Sequence, residues 1–417
     1  MLNILKKKTF ERLGFKINNL GSAIQLSNII LEEKDEFISY NTIRRLFKIV
    51  KTNENPSKKT LDIISRFNGY NNYNHFIKTF KYENKWKLQN DIYEILNKMD
   101  LDLLIHFIRK NLRAKEDHVT IVIQVLRELF LQKRYYELYK ALEIEELKIE
   151  NLTYDEVAHI GNGIGLLLRK IKLEDDVIKT LLKVKNYQDL VYTMFVDYAN
   201  LNKYYLSHIK IFKTIKSADY LIAFTESLEN LHCYLNLKKT IHHDIRLKEN
   251  YHPILKSRII AQNILNKNKN IIQKLEQYYL QQNNPKLPIE YFYELIMTAM
   301  ISQNFEVIKW IIKKVEKNIE ENYIYHIRHV QHYIIMKSFY FASVEDEIQF
   351  KKNMKQFAIE ATSTSYKEML KVFILVSQYQ FANGHDKFEL KKEYKKLSKK
   401  LGYALFDENY LILNANP

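Results

Sequence analysis

Glycine and proline are scarce in this chain, which has only 8 glycines and 5 prolines among 417 residues. All-β and α/β folds need these residues at their turns, so the scarcity argues against both and predicts a nearly all-helical protein. The hydrophobic share of 46% and the charged share of 27% suffice for a packed core and argue against disorder.

Cysteine is nearly absent, and long apolar runs are missing. The single cysteine, Cys233, excludes an internal disulfide and fits a reducing compartment. Residues 1–6 lack the roughly 7–15-residue apolar core of a signal peptide. No stretch approaches the ~18 uncharged apolar residues of a membrane span. We therefore expect a soluble, cytoplasmic protein that does not enter a membrane.

Basic residues are present in excess and are concentrated near the N-terminus. The net charge is +16, and residues 1–80 contain 14 Lys and Arg against 7 Asp and Glu, a net of +7. Between residues 40 and 60, six basic residues stand against one acidic residue, Glu54. Such a local excess favours binding to a polyanion, and nucleic acid is the obvious one. The alternative is a solvated basic surface without a partner.

The most specific pattern lies at residues 38–50. Ser39 is predicted to cap a short helix that runs to about residue 50 and buries Ile43, Leu46 and Phe47. The opposite side carries polar and basic groups, as a DNA recognition helix does. The candidate base contacts are Tyr40, Asn41, Arg44 and Arg45, and the candidate phosphate contacts are Gln25, Lys48, Lys51, Lys58 and Lys59. Alternatively, the two arginines pair with the acidic segment 32–36 and only stabilise the domain.

Two more predicted helices flank this one and complete a small helical domain in residues 1–85. The first is capped by Ser22 and has an apolar face made of Ala23, Leu26, Ile29 and Ile30. The other is capped by Ser57, buries Leu61, Ile64 and Phe67, and is closed by Gly69.

The ordered set of patterns resembles the lambda-repressor-like helix-turn-helix family. The matching pieces are Ser39-Tyr40-Asn41-Thr42-Ile43, Pro56-Ser57-Lys58-Lys59-Thr60-Leu61 and Asn68-Gly69. The turn before Ser39 is longer than in that family and lacks its glycine, and the loop after the recognition helix is extended. The resemblance covers about a fifth of the chain. It implies a DNA-binding head that forms dimers on a two-fold operator.

The remaining residues, 86–417, show helical periodicity almost throughout. Apolar stripes occur at residues 92–99, 119–131, 154–171, 187–201, 289–302, 305–319 and 369–381. Short helices with short polar turns predict an α-solenoid of antiparallel helix pairs, tetratricopeptide-like in architecture, although the full 34-residue signature is absent. An irregular helical bundle is the alternative. The polar stretch 238–253 divides the array into two possible sub-blocks, 86–240 and 253–417, and residues 283–286 form a second predicted loop.

No spacing in the chain predicts catalysis, a metal site or a cofactor. His326, His329 and His332 lie on one predicted helix but diverge around it, and residues 242–244 lack a metal-binding spacing. The glycine cluster 161–165 follows a helical pattern and lacks the Gly-Lys-Ser/Thr ending of a phosphate loop, so close helix packing or a helix break explains it better. Cys233 is interpreted as a small buried helix residue. We expect a protein that is not an enzyme.

The sequence therefore predicts a sequence-specific DNA-binding transcriptional regulator that joins a helix-turn-helix head to a helical array. The array would supply a homodimer contact, a sensor groove for a peptide or protein ligand, or both. This layout is similar to peptide-sensing regulators that carry tetratricopeptide arrays. The alternative is a non-catalytic scaffold whose array binds a protein or peptide partner and whose head is a docking module.

Overall fold

The computed structural model describes residues 1–52, 54–114, 118–240, 245–266, 270–281, 289–318 and 326–413. Over these residues the regular structure is helical and no strand occurs, which confirms the predicted all-α class. The α-helices are α1 Leu2–Leu13, α2 Leu20–Lys34, α3 Tyr40–Leu46, α4 Lys58–Phe67, α5 Tyr73–Asn97, α6 Leu101–Ala114, α7 His118–Leu131, α8 Tyr135–Leu142, α9 Tyr154–Leu168, α10 Asp175–Leu181, α11 Lys185–Tyr187, α12 Tyr204–Phe212, α13 Asp219–Leu235, α14 Pro253–Leu265, α15 Ile271–Leu280, α16 Glu290–Ile301, α17 Phe305–Asn318, α18 His326–Ser343, α19 Glu347–Met354, α20 Lys367–Phe381 and α21 Gly384–Leu401. A π-helical turn follows α11 at Gln188–Tyr192, and short 3₁₀ turns lie at Glu145–Leu147, Ile149–Asn151, Tyr198–Asn200, Ile359–Ala361 and Glu408–Leu411.

The chain divides into two compact units, Met1–Asp100 and Leu101–Pro417. The predicted boundary at residue 85 falls inside α5, which continues without a break to Asn97. The described parts of the predicted break at 238–253 contain no helix before Pro253. The second predicted loop, at 283–286, lies outside the described residues.

The smaller unit is built from α1 to α5 around one apolar core. The buried members of this core are Leu5, Ile17, Ala23, Leu26, Ile30, Ile38, Ile43, Leu46, Ile63, Ile64, Phe67 and Phe76. Helix α2 contacts α3 and α4, and α4 also contacts α1 and α5. Each large apolar side chain contributes about 1.5–3 kcal/mol when it is buried, before chain entropy is counted. The core therefore fixes how the short helix α3 packs on α2.

Two predicted caps in this unit are confirmed. The Ser39 hydroxyl accepts a hydrogen bond from the backbone N–H of Thr42 at the start of α3, at 3.2 Å. The Ser57 hydroxyl accepts one from the backbone N–H of Thr60 at the start of α4, also at 3.2 Å. Each serine satisfies a donor that the first turn of a helix leaves unpaired.

The predicted cap of α2 is wrong, because the helix begins three residues earlier. Asn19 is the N-cap, and its side-chain oxygen accepts from the backbone N–H of Ser22 at 2.9 Å. The Ser22 hydroxyl accepts in return from the backbone N–H of Asn19 at 3.2 Å. This reciprocal pair is a capping box in which Ser22 occupies the third helical position.

Helix α3 is shorter than predicted and ends at Leu46 instead of about residue 50. Lys48 adopts a left-handed conformation with φ of 60°. Its backbone N–H donates to the carbonyl of Arg45, and that of Ile49 donates to the carbonyl of Arg44. These two hydrogen bonds form a Schellman motif, which stops the helix and turns Ile49 back towards the core. Lys48 therefore lies on the turn after the helix.

The larger unit contains helices that contact their near neighbours in sequence. Helices α14, α16, α18 and α20 contact one another in that order, and α15, α17, α19 and α21 each contact a neighbour in that row. Towards the N-terminus of the unit, α7 contacts α6, α8 and α9. The predicted helical segments are confirmed at α7, α9, α16, α17 and α20.

The predicted helix at 187–201 is wrong, because the chain there breaks into the π-helical turn Gln188–Tyr192, an irregular stretch at 193–197 and the 3₁₀ turn Tyr198–Asn200. Because the helix is broken, the Asp197 carboxylate lies in a fully buried position. There it accepts two hydrogen bonds from the Arg169 guanidinium, at 2.6 and 2.7 Å. The Tyr204 hydroxyl also donates to it at 2.7 Å. A buried carboxylate needs such partners, and a regular helix would not have placed it among them.

Of the two predicted explanations for the glycine cluster on α9, the structure shows close packing and not a helix break, because α9 runs unbroken over Tyr154–Leu168. A Cβ on Gly161 would lie 2.4 Å from the backbone carbonyl oxygen of Leu190, and one on Gly165 would lie 2.0 Å from the ring of Phe195. Both distances are far below van der Waals contact. Helix α9 therefore packs directly against the segment 188–196, at a distance that any side chain at these positions would prevent.

Candidate nucleic-acid interface

The link between α2 and α3 brings the two helices into contact through five residues. Asp35 ends α2 in the left-handed conformation, with φ of 53°. Aspartate tolerates this conformation better than most residues, so the turn forms here without a glycine. The Ser27 hydroxyl of α2 donates to the backbone carbonyl of Ile38 at 2.6 Å, in the interior. This bond holds the turn just before the cap Ser39.

Three of the four candidate base contacts are exposed on α3, while Ile43 and Leu46 are buried on its opposite side. The side chain of Arg45 is 57% exposed, and Tyr40 and Asn41 are also exposed. The helix therefore presents a polar surface of the predicted composition.

Arg44 is the exception among them, because it is half-buried. Its Nη1 donates to the Asn41 side-chain oxygen at 3.1 Å, one helical turn away. Its Nε is buried, and no atom of the described residues accepts a hydrogen bond from it. This guanidinium is held beside Asn41 and does not extend freely into solvent.

The acidic segment 32–36 pairs with arginines of other helices. Glu33 lies 2.5 Å from the guanidinium of Arg12 on α1, and Glu36 lies 2.5 Å from that of Arg66 on α4. The hydrogen bonds with Glu36 raise the pKa of Arg66. The alternative prediction, that Arg44 and Arg45 pair with this segment, is therefore wrong.

Arg45 has a different partner, Glu54, in the loop after α3. Its Nη1 lies 3.7 Å from the Glu54 carboxylate, and both side chains are largely exposed. A surface pair of this kind contributes roughly 0–1 kcal/mol and is screened by salt. A DNA phosphate could therefore replace Glu54 as the partner of Arg45 at little cost in free energy.

All five candidate phosphate contacts are exposed: Gln25, Lys48, Lys51, Lys58 and Lys59. No carboxylate of the described residues lies within ion-pair distance of the four lysines, so their charges are uncompensated at short range. Lys58 and Lys59 open the first turn of α4, directly after the cap Ser57.

Two features of this surface were not predicted. Lys6 on α1 is buried, with its Nζ 6.0 Å from the ring centre of Phe47, and burial followed by the charge of Lys48 lowers its pKa. Phe37, in the turn before α3, is 69% exposed. The sequence signal for Phe37 is its neighbour Ile38, since only one of two adjacent residues in an extended turn can face the core.

Elsewhere, the described residues contain no group of three His, Cys, Asp or Glu side chains arranged to hold a metal ion. His329 and His332 are buried in α18, and His332 stacks on Tyr293 with ring centres 4.5 Å apart. Residues 242–244 lie outside the described part of the chain. Cys233 is half-buried, and burial raises the pKa of its thiol. None of the described helices is both long and apolar enough to cross a membrane.

Compared with known proteins, the chain matches no family model, no curated protein and no solved structure. Any functional assignment therefore depends on the chain's own residues and their geometry.

Proposed function

We propose that this protein is a sequence-specific DNA-binding transcriptional regulator of the cytoplasm, and that its Met1–Asp100 unit is a helix-turn-helix head. The observation that carries the proposal is the pairing of charges in this unit. Two acids of the segment 32–36, Glu33 and Glu36, are paired with Arg12 and Arg66 and not with the arginines of α3. The exposed cations around α3 are left without strong partners, which is the arrangement that a phosphate backbone requires.

In this proposal α3 is the recognition helix and enters the major groove. Asn41 reads an adenine and Arg45 a guanine, and each such bidentate pair discriminates by about 1–3 kcal/mol. The hydrogen bond from Arg44 to Asn41 holds the amide in one orientation before DNA arrives, which lowers the entropy cost of base reading. Lys48, Lys51 and Gln25 contact phosphates and fix the register.

The larger unit is proposed to be a tetratricopeptide-like solenoid that supplies dimer contacts and a ligand site. The row α14, α16, α18 and α20, with a second row beside it, supports this reading, because stacked helix pairs contact mainly their sequence neighbours. Dimer formation follows from the resemblance to helix-turn-helix regulators. It is also expected because a single head of this size binds DNA too weakly to select one site in a genome.

The test is selection of bound duplexes from random DNA by the full-length protein. We expect one enriched motif, with two half-sites, that the Arg44→Ala/Arg45→Ala variant no longer selects. The control variant Lys78→Ala/Lys81→Ala removes the same charge from exposed positions on α5, and it should retain the motif. Thermal unfolding of each variant establishes that it is folded.

The contradicting outcome is weak binding to every duplex that salt abolishes, with no enriched motif. That outcome would favour the scaffold alternative, in which the head docks on a protein or on nucleic acid without sequence preference.

A further inference from the structure

The larger unit contains a cavity of about 370 Å³ that the proposed function does not yet explain. Most of its walls come from α9, the segment 188–196, α13 and the start of α14, with further contributions from α16, α18 and the turn at 363–366. Sites for small molecules in proteins have volumes of roughly 300–1,000 Å³ and mostly apolar walls. The cavity therefore has the size of a ligand site.

The walls of this cavity are mainly apolar and aromatic. They include the apolar side chains of Val157, Met194 and Leu255 and the aromatic rings of Tyr220, Phe224 and Tyr293. Aromatic rings attract one another in offset-stacked and edge-to-face arrangements, beyond the gain from burying apolar area. The methionine thioether also makes favourable contacts with rings. The composition of the walls therefore favours a ligand that carries aromatic rings.

Arg258 lies in the wall, but its partners are within the protein. Its Nη2 donates to Glu294 at 2.7 Å and to the Tyr198 hydroxyl at 3.1 Å. Its Nε has no acceptor among the described residues, but this atom is buried, so a ligand in the cavity cannot contact it. Glu294 also accepts from the hydroxyls of Tyr198 and Tyr366. Neither the guanidinium nor the carboxylate therefore offers an unpaired charge to a ligand.

The other charged groups of the wall also have partners of their own. The Asp189 carboxylate accepts from Lys185 Nζ and from the Tyr220 hydroxyl, both at 2.6 Å. Arg328 and His329 each have an interaction within the protein as well. The charges around the cavity are therefore already compensated before any ligand arrives.

His252, which also lines the cavity, is uncharged. Its Nδ1 accepts a hydrogen bond from the backbone N–H of Ile254 at 3.2 Å, at the start of α14. A ring nitrogen that accepts a hydrogen bond carries no proton, so this imidazole is in its neutral form. The ring therefore adds no positive charge to the wall.

A charged ligand would lose its hydration in this cavity and would find no unpaired opposite charge among the described wall residues in return. We propose that the cavity binds an uncharged aromatic group of about twelve non-hydrogen atoms, the size of two fused rings with a small substituent. The size follows from the volume, since 370 Å³ divided by the roughly 30 Å³ of a water molecule gives about twelve atoms. The inference deepens the ligand site of the proposed function and rests on that function only for the sensor role of the larger unit.

The probe is 2-acetylnaphthalene, an uncharged ketone on two fused rings. Two molecules of nearly the same shape, 2-naphthoate and 2-naphthylmethylammonium, carry a negative and a positive charge in place of the ketone. Titration calorimetry with the full-length protein, in about 0.15 M salt to screen its net charge of +16, should show binding of the ketone. Both ions should bind at least about tenfold more weakly, because each must bury an unpaired charge.

A further probe distinguishes two sources of the aromatic group. N-acetyltryptophanamide is also uncharged and carries two fused rings, but on a peptide backbone. If it displaces the ketone, the natural group is a peptide side chain. If it does not, the natural ligand is a free small molecule.

Two variants locate the site, each with a matched control. Ala158→Leu adds three carbons within the cavity and should weaken ketone binding by about tenfold or more, whereas Ala114→Leu at an exposed position on α6 should not. Met194→Ala removes apolar contact from the wall and should weaken binding at least about fourfold, which corresponds to one buried methylene. Met99→Ala, at a position that is 77% exposed, should leave binding unchanged. If Ala158→Leu does not fold, Met194→Ala decides the question.

The proposal is overturned if the ketone does not bind, if either ion binds as tightly as the ketone, or if the folded cavity variants bind it like the parent protein. DNA binding is measured on the same protein without the ketone. A chain that binds its DNA motif but not the ketone overturns the cavity proposal alone. A chain that binds the ketone but no motif overturns the regulator proposal alone.

Discussion

The salt dependence of DNA binding tests the proposed phosphate contacts quantitatively. Four lysines, Lys48, Lys51, Lys58 and Lys59, are exposed and have no carboxylate partner among the described residues. If each neutralises one phosphate, the logarithm of the association constant should fall with the logarithm of salt concentration with a slope of about −3.6 per head. Affinity should then fall roughly 150-fold per head between 50 and 200 mM salt.

The Lys58→Ala/Lys59→Ala variant removes two of these contacts from the first turn of α4. Its slope should be about −1.8 per head, so the same salt change should weaken binding only about twelvefold. Fluorescence anisotropy with the selected duplex at four salt concentrations measures both slopes. The enriched motif should stay the same, because phosphate contacts carry no base information. An unchanged slope would refute the assignment, and the Lys78→Ala/Lys81→Ala control on α5 should match the parent protein.

Three further predictions follow from single contacts. Glu54→Gln frees Arg45 from its surface ion pair, so anisotropy should show DNA binding up to about fivefold tighter at low salt, with no gain at high salt. Lys48→Gly removes the backbone strain of a left-handed lysine, which is worth about 1 kcal/mol. Amide hydrogen exchange in residues 40–50 should therefore slow roughly fivefold, while DNA binding weakens because a proposed phosphate contact is lost. Faster exchange would contradict this reasoning. Burial lowers the pKa of His208 from 6.5 to about 4, so the unfolded chain takes up the proton first as the pH falls. The free energy of unfolding should therefore fall by about 3 kcal/mol between pH 6.5 and pH 4. Denaturant unfolding of His208→Gln should show a smaller loss over the same pH range.

Local signals in the sequence were sufficient to predict part of the Met1–Asp100 unit. The caps Ser39 and Ser57 could be predicted because a capping hydroxyl acts within three residues of itself. The start of α2 could not be predicted, because Asn19 and Ser22 are both good N-cap residues and a capping box uses both of them. Helix α1 was not predicted either, because Met1 makes no side-chain cap and the helix carries only a weak apolar stripe.

The features that depend on distant contacts could not be predicted. The exposure of Arg45 followed from helical spacing, but its pairing with Glu54 depends on the path of the loop after α3. The broken helix at 187–201 has an apolar pattern that fits a regular helix. Its break depends on Arg169, which approaches Asp197 from an earlier part of the chain. A cavity of about 370 Å³ in the larger unit, lined in part by α9 and the segment 188–196, could not be predicted at all, since its walls come from segments more than 200 residues apart.

The glycines of α9 have a consequence for the size of the cavity. Gly161 and Gly165 let α9 touch the segment 188–196, and both of these elements supply cavity walls. The width of the cavity therefore depends on the distance between these two backbones. That distance is set by Gly161 and Gly165, which do not line the cavity. A methyl group added at either position would force the two elements apart and widen the space between them. The cavity volume is thus controlled from behind its lining, by the packing of two backbones and not by the side chains that face the space.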